Sequence, residues 1–280
     1  MLRIGRHVSI AGGLSFSLDR ASALGCTTMQ IFVANARSWG NGSLSASGGE
    51  AAAFRKKRSA VDIRPVCAHM PYLPNLASPN DAIFKKSVRA LKENLAVCNS
   101  LGIEYLIAHM GSHMGRGREN GARRILAALD SVAEVIGNVT ILLENQAGHA
   151  NSTGSSMEEL ASVYDASALA AAGGLGLCID TCHAFAAGYD IGDRNVLRHI
   201  DRVLGFSKVP VLHVNDAKFG LGSHRDRHDN IGMGQIGIER FRTLLNYPGI
   251  ASKALILETA PNPAVSESWE INTLRALVRD

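Results

Sequence analysis

The chain has 280 residues, of which 46% are hydrophobic and 19% charged, a composition that excludes a disordered protein and allows one large α/β domain. Its net charge of +4 is too small for a protein that passively coats nucleic acid, although it allows an enzyme with a local basic site. No apolar run approaches the roughly 18 residues of a membrane span, the first residues lack a signal-peptide pattern, and five cysteines, an odd number, indicate a reducing cytoplasm.

Short apolar runs alternate with segments of helical spacing along the whole chain. The apolar runs cover residues 4–10, 29–33, 65–69, 105–109, 140–144, 175–180, 209–214 and 254–258. Helical spacing is clearest over residues 82–99, 121–136, 156–172 and 238–245. Nearly continuous apolar strands that alternate with helices are typical of a parallel sheet covered by helices. Eight such strands predict an α/β fold, a (β/α)8 TIM barrel, that extends over residues 1–280 as a single domain.

Six of the apolar runs carry a side chain that can bind a metal at or next to their last position. These residues are His69, His109, Glu144, Asp180, His213 and Glu258. One buried histidine would have an ordinary explanation as a satisfied core residue, but six charged or imidazole groups at strand ends would be costly without a common partner. The carboxyl ends of the strands meet at one rim of a TIM barrel, where active sites lie. The pattern therefore predicts a metal site with too many ligands for one tetrahedral zinc.

Further candidate ligands follow strands six and seven. His183 comes three residues after Asp180, and the polar loop over residues 222–232 contains the pair Asp226 and His228. His224 and Asp229 lie in the same loop, and spacing alone does not choose between the two pairs. Oxygen and nitrogen donors without a required thiolate suit zinc or manganese in a multinuclear hydrolytic cluster, and the share of imidazoles favours zinc.

The segment "GLCIDTCHAFAAGYD", residues 176–190, invites two other interpretations, a haem attachment site and a thiolate zinc site. A haem site of this type requires export, and the remaining cysteines are too scattered to complete a thiolate site. We therefore expect Cys178 and Cys182 to be small packing residues. Cys178 would face the barrel interior on the same side of the strand as Asp180 but deeper.

Several motifs together resemble the endonuclease IV family of apurinic/apyrimidinic (AP) endonucleases over essentially the whole chain. The motifs are "IGRHVSIAGGL", "HMPYLPNLASP", "AHMGSHMGRG", "GLCIDTCHAFAAGYD" and "LILET". The resemblance implies a xylose-isomerase-like TIM barrel with its active site at the carboxyl-terminal rim of the strands. One departure is His149, which replaces the glutamine usual in the family.

The resemblance also implies a cluster of three Zn²⁺ ions, with Mn²⁺ as the alternative at one site. The first zinc would be bound by His69 and His109, with Glu144 bridging it to the second. Asp180, His213 and Glu258 would complete the second site. His183, Asp226 and His228 would hold the third zinc, which selects this pair within the polar loop.

The activity implied by the resemblance is base excision repair of double-stranded DNA. With Glu144 as the bridging ligand, a hydroxide between the first two metals would attack the phosphate 5′ to an abasic site. The products are a 3′-hydroxyl and a 5′-deoxyribose phosphate, and 3′ blocking groups would also be removed. Arg37, Tyr72 and Leu73 match the positions that contact DNA and fill the gap left by the flipped nucleotide. We expect a monomer.

Two other functions are compatible with parts of the sequence. A metal-dependent sugar isomerase or epimerase would use the same barrel, but it does not require the donors His183, Asp226 and His228. An inactive DNA-binding barrel would be expected to lack some of the ligands. Among other residues, His7 is either a site contact or a core histidine, His113 is predicted to face solvent or DNA, and Asp216 is predicted to support the site from behind the ligands.

Overall fold

The computed structural model describes residues 2–35, 39 and 48–278. Eight parallel strands close into a barrel in which the first strand pairs with the last. The barrel strands are β1 (Arg3–His7), β2 (Thr28–Phe32), β3 (Val66–His69), β4 (Tyr105–His109), β5 (Thr140–Glu144), β6 (Leu175–Asp180), β7 (Val211–His213) and β10 (Ala254–Leu257). The closed barrel confirms the predicted TIM-barrel fold. Between β7 and β10, β8 (Asp216–Ala217) and β9 (His228–Asp229) form a small antiparallel sheet.

Helices surround the barrel and bury their apolar faces against the outward side chains of the strands. They are α1 (Leu14–Ala23), α2 (Gly48–Ser59), α3 (Asp81–Leu101), α4 (Arg118–Asp130), α5 (Met157–Asp165), α6 (Ala168–Ala171), α7 (Thr181–Ala186), α8 (Arg194–Leu204), α9 (Gly237–Leu245) and α10 (Glu267–Leu277), with a 3₁₀ turn at Phe206–Lys208. None of the described helices combines the length and the apolar character that a membrane crossing requires.

The helix predicted over 156–172 is two helices in the structure. Ser156 begins α5 by accepting a hydrogen bond from the Glu159 backbone N–H. α5 ends at Asp165, and Ser167 has an extended backbone (φ −85°, ψ 124°) before α6 starts. The apolar spacing continues across the break, so it does not reveal where the backbone leaves the helix.

The inside of the barrel has an apolar layer below a polar one. The apolar layer consists of the buried residues Cys67, Ile107, Leu142, Cys178, Val211, Ala254 and Ile256. Because side chains two residues apart on a strand face the same way, Cys178 and Asp180 both face inward, with Asp180 nearer the carboxyl-terminal rim. The polar residues at the strand ends therefore lie directly above a buried apolar layer, which keeps water from reaching them through the barrel interior.

β1 lies against β2 too closely for any residue but glycine at position 5. Gly5 is in register with Thr28, and a Cβ atom on Gly5 would lie 1.8 Å from the Thr28 carbonyl oxygen. Closing the barrel between its first two strands therefore depends on the absence of a Cβ atom at Gly5. Closure brings the ends of β2 and β10 together at the site.

Candidate metal centre

The structure brings all nine predicted ligand residues together at the carboxyl-terminal rim, in three groups made only of imidazole and carboxylate donors. Within each group, one donor atom per residue lies within 4.8 Å of the others. The groups are His69, His109 and Glu144; Glu144, Asp180, His213 and Glu258; and His183, Asp226 and His228. Glu144 belongs to two of the groups, as a carboxylate that bridges two ions would. Among the described residues, neither His224 nor Asp229 belongs to any such group.

Glu144 lies at the centre of the cluster and is fully buried. Its Oε2 is 3.1 Å from His69 Nε2 and 3.4 Å from His109 Nδ1. Its Oε1 is 2.9 Å from His213 Nδ1 and 3.5 Å from His183 Nδ1. The two carboxylate oxygens thus face different sets of imidazoles, the arrangement that a bridging ligand needs.

Backbone carbonyls fix the orientation of two imidazoles. His69 Nδ1 is 2.7 Å from the Met70 carbonyl oxygen, and His183 Nδ1 is 3.0 Å from the Asn145 carbonyl oxygen. A carbonyl can only accept, so both Nδ1 atoms carry the proton. The Nε2 atom of each ring is then free to bind a cation, and the carbonyl makes it a better donor.

His213 is oriented by Gln30, a residue that the sequence patterns did not identify. The Gln30 Oε1 atom is 2.8 Å from His213 Nε2, which leaves His213 Nδ1 directed at Glu144 and Glu258. The Gln30 Nε2 group donates to Glu258 Oε1 at 2.6 Å and to His7 Nδ1 at 3.1 Å. Gln30 is fully buried, and its position as a polar residue inside the apolar run 29–33 was the signal that could have identified it.

Two buried asparagines hold Asp180 in the same way. Asn145 accepts from the Asp180 backbone N–H at 2.7 Å and donates to the Asp180 carbonyl. The Asn215 side chain donates to Asp180 Oδ2 at 2.7 Å and accepts from the Glu258 backbone N–H at 2.8 Å. Asn145 directly follows the strand-end ligand Glu144, and Asn215 lies two residues after the ligand His213. Their closeness in the sequence to these ligands could have identified them.

The third group joins His183 on α7 to Asp226 and His228 of the polar loop. Asp226 Oδ1 is 3.3 Å from His183 Nε2 and 3.4 Å from His228 Nε2. Asp226 is the most exposed of the predicted ligands, with 42% of its side chain accessible. His228 Nε2 and His109 Nδ1 are buried without a hydrogen-bond partner in the described part of the chain, although each faces a carboxylate. Orphaned ring nitrogens that face carboxylates fit a cation between them.

The electrostatics of the cluster follow from its burial. Burial opposes a charge on Glu144, but the imidazoles of His109 and His213 outweigh it and hold the pKa of this carboxyl well below its usual range. Burial lowers the pKa of His183, but Asp180 and Asp226 more than compensate and raise it to about 10. The Glu144 carboxylate is therefore ionised at neutral pH and ready to bind cations, which would displace protons from imidazoles such as His183.

The cysteines of the segment 176–190 are packing residues by burial. Cys178 is fully buried in the apolar layer, and burial raises the pKa of its thiol to about 11. Cys182 is also buried, and its sulfur lies within 4.8 Å of donor atoms of Asp180 and His228. Burial raises the pKa of the Cys182 thiol as well, which disfavours the thiolate that a metal would need.

Of the three residues predicted to contact DNA, the structure describes Tyr72 and Leu73. Tyr72 and Leu73 are exposed at 66% and 42% in the loop between β3 and α3. They line an open cavity of about 420 Å³ whose wall also includes His149, His183 and Asp226. Arg37 lies outside the described residues. His149, which replaces the glutamine usual in the family, is exposed and lines this cavity.

The structure also shows the contacts of His7, His113 and Asp216. His7 contacts the site through Gln30, and burial lowers its pKa to about 4, so its neutral Nδ1 accepts the Gln30 amide proton. The prediction that His113 faces solvent or DNA is wrong, because His113 is buried and its Nδ1 accepts from the Gly117 backbone N–H at 3.2 Å. Asp216 was also misassigned, because its carboxylate accepts backbone N–H groups of Gly232 and Ile236 and stabilises the loop before α9.

Comparisons with known proteins agree with this geometry. The family model described as xylose isomerase-like TIM barrel matches residues 18–276. The probable endonuclease 4 of Methanoculleus marisnigri is 44% identical over 283 residues, which cover 99% of both chains. The probable endonuclease 4 of Cenarchaeum symbiosum is 43% identical over 282 residues, again 99% of both chains. The chain belongs to the endonuclease IV family. The family predicted from the sequence motifs is thereby confirmed.

Solved structures place this endonuclease IV family member within a wider set of barrels. The crystal structure of endonuclease IV from Thermus thermophilus has a TM-score of 0.87 and 36% identity, and the match covers 98% of both chains. A D-tagatose 3-epimerase-like protein has a TM-score of 0.74 but only 19% identity, over 99% of this chain and 98% of that one. The epimerase-like protein thus shares the fold, whereas endonuclease IV shares both fold and sequence.

Proposed function

We propose that this chain is a metal-dependent endonuclease that hydrolyses the phosphodiester bond 5′ to abasic sites in double-stranded DNA, in base excision repair. Membership of the endonuclease IV family makes it a DNA-cleaving hydrolase. The observation that carries the proposal is the set of nine imidazole and carboxylate donors gathered in three groups at one rim. The proposed products are a 3′-hydroxyl and a 5′-deoxyribose phosphate, and 3′ blocking groups are proposed as further substrates.

The proposed cofactors are three Zn²⁺ ions, with Mn²⁺ as the alternative at one site. His69, His109 and Glu144 would hold the first ion, and Glu144 with Asp180, His213 and Glu258 the second. His183, Asp226 and His228 would hold the third. When bound, the metals would supply Lewis-acid stabilisation of the phosphate and an activated water. The nitrogen and oxygen donor set and the orphaned ring nitrogens of His109 and His228 support this assignment.

The side chains around the metals would select and orient a phosphate. The four carboxylates of the cluster carry about four negative charges, and three divalent ions would carry about six positive ones, so the loaded pocket attracts an anion. The carbonyl of Met70 and the amide of Gln30 keep His69 and His213 from turning. The buried apolar layer inside the barrel excludes water from that side of the cluster, which strengthens these electrostatic interactions.

Tyr72 and Leu73 are proposed to occupy the space left by the flipped abasic nucleotide. Both side chains are exposed although they are large and apolar, and they border the cavity that contains the ligands His183 and Asp226. Unstacking a base step costs a few kcal/mol, and an abasic site has already lost part of that stacking. Arg37 is proposed to contact DNA as well. A monomer in the cytoplasm is the proposed state, and the five buried free thiols suit a reducing compartment.

The deciding experiment measures the metal content of the purified protein and its action on a duplex with one tetrahydrofuran abasic analogue. About three zinc ions per chain are expected, one for each donor group, with a nick 5′ to the analogue that a strong chelator abolishes. An undamaged duplex of the same sequence is the control. An intact damaged strand despite full metal loading would refute the proposal, and turnover of a keto-sugar by the same protein would favour the epimerase alternative.

Replacing Gln30 by methionine is expected to lower zinc affinity about 10- to 100-fold, the usual cost of losing a partner that orients metal ligands. The variant removes the hydrogen bonds to His213 and Glu258 while keeping the volume of the side chain. Competition with a chromogenic chelator measures the affinity. Gln235→Met, at an exposed position, is the matched control. Equal affinities in the two variants would show that Gln30 does not position the ligands.

A further inference from the structure

The loop between β4 and α4, residues 110–117, and the first residue of α4, Arg118, carry exposed groups that the proposed reaction does not use. Met114 is 55% exposed, and the arginines at positions 116 and 118 are also exposed. Within the described part of the chain, neither arginine forms a hydrogen bond or ion pair through its side chain. Two free guanidinium groups beside an exposed apolar side chain form a surface that suits a polyanion with apolar parts.

This loop is held rigidly in place. The Asn75 side chain donates to the Ser112 carbonyl at 3.0 Å and accepts from the Ser112 backbone N–H at 2.9 Å. The Asn151 carbonyl accepts from His113 N and from Ser112 Oγ, both at 2.9 Å. Gly111 allows the contact with Asn75, because a Cβ atom on it would lie 2.2 Å from Asn75 Oδ1. The loop is therefore fixed to the two neighbouring rim loops, and it presents its tip in one orientation.

Met114 at the tip adopts a left-handed backbone conformation, with φ 48°. This conformation is unfavourable for a residue with a side chain, and it persists here because the surrounding hydrogen bonds, including one from Met114 N to Ser112 Oγ, impose it. The strain directs a large apolar side chain into solvent. Such a combination of strain and exposure points to a contact with another molecule.

The position of the loop indicates which molecule that is. Ser112 lines the same cavity as Tyr72, Leu73, His183 and Asp226, so the loop borders the proposed active site. A cavity of about 420 Å³ holds only the nucleotide at the lesion, and the flanking duplex must rest on the surrounding rim. Among the described residues, five of the eight exposed large hydrophobic side chains lie in rim loops: Tyr72, Leu73, Met114, Leu221 and Met233.

We propose that the β4–α4 loop, together with Arg118 at the start of α4, is a second contact for duplex DNA, outside the lesion pocket. Met114 packs on the sugar edges of the groove, and Arg116 and Arg118 each neutralise a backbone phosphate. The contact is independent of sequence, because phosphates and sugars carry no base information. This inference rests on the proposed function, since it takes double-stranded DNA as the substrate.

The test uses the metal-loaded protein and an undamaged duplex, which lies outside the proposed specificity for cleavage. Binding is measured over a salt series for the wild type, the double variant Arg116→Ala/Arg118→Ala and the control Arg202→Ala. Arg202 is exposed near the end of α8, at the opposite face of the barrel. The double variant is expected to bind more weakly, and the slope of log affinity against log salt should fall by about 1.8, or about 0.9 for each lost phosphate contact.

Nicking of the tetrahydrofuran duplex supplies the second readout. The double variant should raise KM and leave kcat unchanged, because its side chains contact flanking phosphates and not the reacting bond. Met114→Gly should also raise KM, yet it should increase Tm because glycine relieves the left-handed strain. If the wild type neither binds nor nicks DNA, the proposed function fails. If the wild type nicks but the double variant keeps the salt slope and KM of Arg202→Ala, the loop contact is refuted, as it is if Met114→Gly lowers Tm and leaves KM unchanged.

Discussion

Glu144→Ala is expected to lower the rate of nicking by about 1,000-fold or more, the upper range for removing one electrostatic group that acts on the transition state. The reason is that Glu144 is common to two of the three donor groups. Its Oε2 faces His69 and its Oε1 faces His213. Without it, two cations would face each other across the cavity with no shared negative ligand. The rate is measured with the tetrahydrofuran duplex under single-turnover conditions.

The fold of this variant should survive, since the apolar layer below the cluster does not depend on Glu144. Glu144→Gln keeps the side-chain volume and serves as the conservative variant, with a similar loss of rate because the amide lacks the charge. Glu134→Ala, at an exposed position after α4, is the matched control and should nick like the wild type. Nicking by Glu144→Ala at the rate of Glu134→Ala would refute the bridging role.

Asp226→Ala is expected to remove one metal per chain and to slow nicking by about 100- to 1,000-fold. Asp226 Oδ1 lies between His183 Nε2 and His228 Nε2, at 3.3 and 3.4 Å, and is the only carboxylate in the third donor group. The first two groups share no residue with the third, so their ions should remain. Metal analysis after gel filtration, together with single-turnover nicking, checks both parts.

Asp229→Asn is the control for this experiment. Asp229 lies in the same loop but belongs to none of the donor groups in the described part of the chain, and its Oδ1 accepts from the Asn230 backbone N–H. The control should keep its full metal content and rate. If Asp226→Ala keeps its full metal content, the third ion is bound elsewhere. If Asp229→Asn loses metal, the alternative pair in the loop, His224 and Asp229, would be favoured as ligands.

The strand-end ligands could be predicted from the sequence because the geometry of a parallel barrel is periodic. Residues such as His109 and Glu144 end apolar runs, and the carboxyl ends of parallel strands necessarily meet at one rim. In the structure these two residues are in register on neighbouring strands. The sequence alone therefore determined the barrel, the rim that bears the site and the family, with its motifs extending over the whole chain.

Only the tertiary structure decided the geometry outside this periodicity. The polar loop has no repeat, so its spacing did not separate Asp226 and His228 from His224 and Asp229; the family resemblance selected the first pair, and the folded loop brings it to His183. Gln30 orients His213 and Glu258, which lie 183 and 228 positions further along the chain than Gln30. Hydrogen bonds over such distances leave no local pattern in a sequence, because they exist only once the barrel has closed and brought its first strands against its last.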